Sequence, residues 1–172
     1  MGNRPAFELL YARHWKAVYS YAWLLTQSVR DAEDVTQESF LALIRKPVAL
    51  DPARAQLRTW LIAVVRRQHF LRHRNAAREL ASDDMDQIAV DAGFDDELIR
   101  MERAEAVRRA VNALPEAQRE ALYLFEFEGL SLSEVAEVLA IDANAVKGRL
   151  FRGREQLRRL LAPLAPHMEG TG

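Results

Sequence analysis

Cysteine is absent from the chain, which excludes disulfide bridges and thiolate metal sites and fits a reducing compartment. Long apolar runs are absent too. The longest stretches, such as Trp60 to Val65, fall far short of the roughly 20 residues of a membrane-spanning helix, so no membrane insertion is expected. The amino-terminal residues show no charged leader followed by an apolar run and a small-residue cleavage site, so no secretory signal is expected and the protein should stay in the cytoplasm. No strand-like alternation and no internal repeat is visible, which leaves helices. With 49% hydrophobic residues over 172 positions, the chain can bury one medium core or two small ones.

Charge is nearly balanced, at a formal −1, but it is strongly segregated. Between Arg58 and Arg78 stand Arg58, Arg66, Arg67, Arg72, Arg74 and Arg78 with His69 and His73, and no acid. From Glu79 to Glu102 acids dominate and Arg100 is the only base. Lys147 to Arg159 is basic again. The pattern implies two anion-binding surfaces joined by an acidic connector.

Periodicity places the elements. Phe7, Leu10, Tyr11, Trp15, Val18, Ala22 and Leu25 recur at helical spacing, which predicts an amphipathic helix over residues 5–26. A second helix runs from Arg30 to Lys46 and stops before Pro47. Residues 47–56 are expected to be a loop or irregular turn, with Asp51-Pro52 as a plausible cap of a third helix reaching about Ala77, with Leu57, Leu61, Val64 and Leu71 on one face. The expected fold class is all-α: a three-helix domain over 1–78, an acidic linker over 79–94, a helical domain over 95–165 and a tail over 166–172. Within the second domain, helices are expected at about Asp96–Asn112, Pro115–Glu128, Ser131–Ala140 and Asp142–Leu161, with Gly129 and Ile141-Asp142 at the turns.

The last two of these helices form a helix-turn-helix pattern. Ser131 with Glu134 is a capping box. On the final helix Val146, Leu150, Gly153, Leu157 and Leu160 should face the core, which turns Asn144, Lys147, Gly148, Phe151 and Glu155 outward, flanked by Arg152 and Arg154. An exposed Phe among amide and cationic side chains suits a major-groove reader, where a ring touches a thymine methyl and Asn or Lys bonds base edges. Gly148 and Gly153 each cost about 1 kcal/mol relative to Ala inside a helix, which asks for a close approach of DNA or of another helix.

On the second helix Asp31, Asp34, Gln37, Glu38, Leu41 and Arg45 share one side, and Ala32, Val35, Ser39, Phe40 and Leu43 the other. The second set is the core. The first is acidic with an exposed leucine at its centre, which fits protein docking better than plain solvation. The helix dipole accounts for Asp31, Glu33 and Asp34, but not for Glu38 and Leu41.

The run Asp31-Ala32-Glu33-Asp34-Val35-Thr36-Gln37-Glu38-Ser39-Phe40 resembles the region 2 signature of extracytoplasmic-function (ECF) RNA polymerase sigma factors, and Leu57-Arg58-Thr59-Trp60-Leu61 resembles the opening of that family's next helix. Leu114-Pro115, Gln118-Arg119, Gly129-Leu130-Ser131, Glu134-Val135-Ala136 and Val146 to Arg154 resemble region 4 in the same order. The resemblance implies that Asp31, Asp34, Gln37, Glu38 and Leu41 dock on the β′ clamp helices of core RNA polymerase, and that region 4 engages the β flap. It implies that residues 47–56 and the following helix, with Arg58, Trp60, Arg66, Arg67, His69, Phe70 and Arg74, recognise and open the minus-ten promoter element. It further implies that Asn144, Lys147, Gly148, Arg149, Phe151, Arg152 and Arg154 read the minus-35 element. No catalytic residue, metal or cofactor is implied, and an anti-sigma partner is. The chain departs from the family where Val65-Arg66-Arg67 and Leu71 replace a usual Ala-Arg-Asn and a later Asp, and where Asn144-Ala145 and Gly148 replace Gly-Thr and Ser.

Two rival readings are weaker. A stand-alone helix-turn-helix regulator leaves the acidic face and the first basic stretch without a task. An enzyme would need Asp31, Glu33, Asp34 and Glu38 as paired carboxylates, or His69 and His73 as an i,i+4 metal pair. The acids have no nucleophilic or basic partner in reach, and the histidines lie among arginines.

Overall fold

The first helix, α1, spans Arg4–Thr26 in a computed structural model that describes residues 4–45, 56–79 and 105–164, with the side chains of 75–79 and 164 left aside. It buries Val18, Tyr21, Ala22 and Leu24. Phe7 and Tyr11 pack on Phe40, with the Tyr11 and Phe40 rings 4.7 Å apart. Trp15, expected inside, is 38% exposed and stacks on Tyr19 instead, because the buried side turns towards Tyr21. Gln27, in the left-handed region at φ 52°, ends α1, and its side chain donates to the carbonyls of Trp23 and Leu24.

Ser28 then caps α2, Val29–Arg45, by accepting a hydrogen bond from the Asp31 backbone N–H. Ala32, Val35, Thr36, Ser39 and Phe40 are buried and Leu43 half-buried, as the sidedness of the sequence requires. Helix α3 covers Leu57–Glu79, later than a start at Pro52. Its first bond runs from Trp60 N–H to the Gln56 carbonyl. The expected cap at Asp51-Pro52 lies outside the described residues. The buried side of α3 is Thr59, Leu61, Ile62, Val64, Val65 and His69, whereas Leu71 is exposed. Helices α1, α2 and α3 all pack on one another and make the first of two compact units. Residues 46–55 lie outside the described residues, and so does the expected linker 79–94 apart from the helical backbone of residue 79.

The second unit is built on α4 (helical over 105–112), α5 (Glu116–Leu122) and α7 (Ala143–Leu161). In place of a uniform helix to Glu128, α5 widens into a π-helical turn over Tyr123–Phe127, closed by Glu128 N–H on the Tyr123 carbonyl. Across it the Tyr123 and Phe127 rings stack at 5.7 Å. Gly129, at φ 64°, turns the chain. Helix α6, Leu132–Leu139, opens with the capping box: Ser131 N–H donates to Glu134 Oε2 at 2.8 Å, and Glu134 N–H to Ser131 Oγ at 3.2 Å. Ala140, at φ 53°, makes the tight turn, and Asp142 caps α7 by accepting from Ala145 N–H at 2.9 Å.

Helix α7 packs on α5 and buries Val146, Leu150 and Gly153, the last of them against Leu122. A Cβ on Gly153 would come within 2.7 Å of Leu122 Cδ1 and 3.2 Å of its Cγ. Leu157 is half-buried and Leu160 exposed, contrary to the expected seam. At roughly 28 Å, α7 overruns the shorter α5 and its last turn goes uncovered. Gly153→Ala should therefore destabilise the second unit by about 1–2 kcal/mol, because displacing buried Leu122 outweighs the gain in helix propensity. Urea unfolding followed by the helix signal measures it, and an unchanged or raised midpoint would show that Leu122 yields freely.

Candidate nucleic-acid interface

With Val146, Leu150 and Gly153 turned inward, the register of α7 leaves no choice about what faces out. Asn144, Lys147, Phe151, Arg152 and Arg154 are exposed, while Gly148 and Arg149 are half-buried. Phe151 is 66% exposed, an unfavourable placement for a ring unless something else covers it. The two glycines separate cleanly. Gly153 is explained by α5, but a Cβ on Gly148 would meet only the Arg152 guanidinium, at 3.3 Å. That is the far end of an exposed, flexible side chain, so nothing inside the unit requires glycine at 148.

In the first unit the core contacts of α2 leave Asp31, Asp34, Gln37 and Leu41 exposed and Glu38 half-buried. Two of these acids have cationic neighbours that sequence reasoning did not pair with them. Asp34 Oδ2 lies 3.8 Å from Arg72 Nη1, and Glu38 Oε2 lies 3.6 Å from Arg45 Nη1. Surface pairs of this kind contribute about 0–1 kcal/mol. They leave both carboxylates open to exchange for a stronger partner.

On α3 the structure gathers Arg66, Arg67, Phe70 and Arg74 on one side. Arg67, Phe70 and Arg74 are exposed, and the half-buried Arg66 lays its guanidinium over the Phe70 ring at 4.7 Å. Trp60, at heptad spacing from Arg67, is half-buried, as is Arg58. His69 does not join them. It is 5% exposed because it follows Ile62 and Val65 at helical spacing, so it packs in the core, its ring 4.3 Å from that of His73. A phosphate-facing role for His69 is thereby corrected. His14 was not anticipated as part of this region. Its pKa is lowered by burial and by the nearby Arg13 and Arg58 charges, so its ring holds a proton less readily than an ordinary histidine. Among the described residues no group of three or more His, Asp or Glu side chains is arranged to hold a metal ion, and no helix is long and apolar enough to cross a membrane.

A further contact ties α7 to the π-helical turn. Arg154 Nε and Nη2 both donate to Glu126 Oε1, at 2.9 and 2.5 Å, and the Arg154 guanidinium lies 5.6 Å from the Phe125 ring centroid. No periodicity argument reveals it, since the partners are 28 residues apart and the π turn interrupts the helical register.

Comparison with known proteins agrees with both units. Residues 10–79 match the family model of sigma-70 region 2, and residues 104–157 that of sigma-70 region 4. The chain is 31% identical over 180 residues to the RNA polymerase sigma-H factor of Pseudomonas aeruginosa, covering 95% of this chain and 90% of that one. It is 30% identical over 162 residues to the ECF RNA polymerase sigma factor SigE of Mycolicibacterium smegmatis, covering 92% of this chain but spanning only 62% of that relative's length. Among solved structures, the sigma factor RpoE of Bartonella quintana, in complex with the anti-sigma factor NepR, superposes with a TM-score of 0.72 at 22% identity, covering 91% of this chain and 97% of that one, and so shares the fold. With both sigma regions present in order, and 31% identity to the ECF RNA polymerase sigma-E factor of Haemophilus influenzae over 95% of this chain and 91% of that one, the chain belongs to the ECF family of RNA polymerase sigma factors.

Proposed function

We propose that this sigma factor divides its work among the helix sides that its cores leave uncovered. Asp31, Asp34, Gln37, Glu38 and Leu41 of α2 dock on the β′ clamp helices of core RNA polymerase. Arg58, Trp60, Arg66, Arg67, Phe70 and Arg74 of α3 engage the minus-ten element, where the Phe70 ring under Arg66 offers a stacking platform beside cations that track phosphates. Asn144, Lys147, Gly148, Arg149, Phe151, Arg152 and Arg154 of α7 read the minus-35 element, and the second unit sits on the β flap. An anti-sigma protein holds the factor inactive in the cytoplasm. The observation that carries the proposal is the sidedness of α2 and α7: in each, one side is core and the other bears charge around an exposed apolar side chain, Leu41 or Phe151.

Three outcomes test this. Reversing Asp34 and Glu38 to Lys should weaken association with core polymerase at least about tenfold while leaving the helix signal intact, since opposed charges at a docking rim become like charges. Undiminished co-purification with core enzyme would refute the docking assignment. Lys147→Ala or Phe151→Ala should lower use of the factor's own promoters while sparing unrelated duplex, whereas equal loss on every sequence would mean that these side chains touch only phosphate. Gly148→Ala should raise stability by about 1 kcal/mol. The same change should weaken promoter binding about tenfold, because the methyl stands where DNA comes close. Stability and binding moving together would contradict that reading.

A further inference from the structure

Lys147, Phe151 and Arg154 stand at i, i+4 and i+7 and so share one stripe of α7. Arg154 on that stripe is not a loose cation. Its Nε and Nη2 donate to a single oxygen of Glu126, and Phe125 flanks its guanidinium. Both partners come from the π-helical turn Tyr123–Phe127, a local departure of backbone geometry of the kind often found at functional sites. An exposed ion pair alone stabilises little. Its geometric effect is larger: a guanidinium gripped along one edge and flanked by a ring keeps its remaining N–H donors aimed in a fixed direction.

We infer that Glu126 is a positioning residue for Arg154, holding its guanidinium in register with Lys147 and Phe151 and cancelling its charge, so that Arg154 serves sequence reading rather than phosphate attraction. The inference rests on the assignment of α7 to the minus-35 element. One physical consequence follows from the pairing. A neutralised arginine releases no net counterion, so it adds nothing to the salt dependence of binding, whereas a freed one would add roughly 0.9 to the slope of log K against log salt.

The test uses the full chain assembled with core polymerase, and two short duplexes, one of random sequence and one carrying a minus-35 element chosen by selection, titrated over a range of potassium chloride. Glu126→Gln keeps the shape of the side chain and removes its charge. It should bind the random duplex several-fold more tightly at low salt, steepen that slope by about 0.9, and narrow the preference for the selected element. The double change Glu126→Gln with Arg154→Gln, which removes the neutral pair whole, should leave the slope on random duplex unchanged while weakening the selected element. An unchanged slope with Glu126→Gln alone, or a slope shallower by about 0.9 with the double change, overturns the inference. Lys147→Ala and Phe151→Ala separate the levels. If they reduce binding of the selected element and Glu126→Gln has no effect, only the role of Glu126 falls; if they too have no effect, α7 is not the reader and the inference falls with it.

Discussion

The approach of α7 to α5 at Gly153 governs the second unit, because a Cβ there would sit 2.7 Å from Leu122 Cδ1 and the helices could not close to this distance. Once that contact is made, Val146 and Leu150 are committed to the core and the rotation of α7 about its axis is fixed. Everything on the outer side follows from it, including an exposed Phe151 and a Gly148 over which only the flexible Arg152 guanidinium lies. The Asp142 cap and the left-handed Ala140 fix where the helix begins. The same contact brings Arg154 beside the π-helical turn, where Glu126 and Phe125 receive it.

The first unit obeys a parallel constraint. Ala32, Val35, Ser39 and Phe40 pack inward, Phe40 against Phe7 and Tyr11, so the acids of α2 have only the outer side to occupy. Their ion pairs with Arg72 and Arg45 are weak enough to break when a partner supplies cations of its own. Arg72 belongs to α3, so the acidic and basic surfaces of this unit touch rather than stand apart, a detail that counting charges along the chain does not reveal.

What was legible in the sequence, and what was not, divides along physical lines. Helices with a strong one-sided pattern, α2 and most of α7, were readable side chain by side chain, as were the local signals Ser131 with Glu134 and Asp142. Helices α1 and α3 carry apolar groups around most of their circumference, and periodicity alone does not say which side a neighbour covers. Hence Trp15 and Leu71 came out exposed and His69 buried. The end of α7 at Leu161 is as expected, but the exposure of Leu160 there depends on how far α5 reaches. The π turn and the Glu126–Arg154 pair depend on tertiary packing across 28 residues, beyond any local pattern.

The uncovered helix sides have one task in common, directing transcription. The most direct measurement adds the purified chain to core RNA polymerase with fragmented genomic DNA and maps the 5′ ends of the RNA made. A sigma factor built this way gives discrete start sites that require both chain and core enzyme and that share an upstream pair of sequence elements. Identical starts with core enzyme alone, or no defined start with the chain present, would contradict that role.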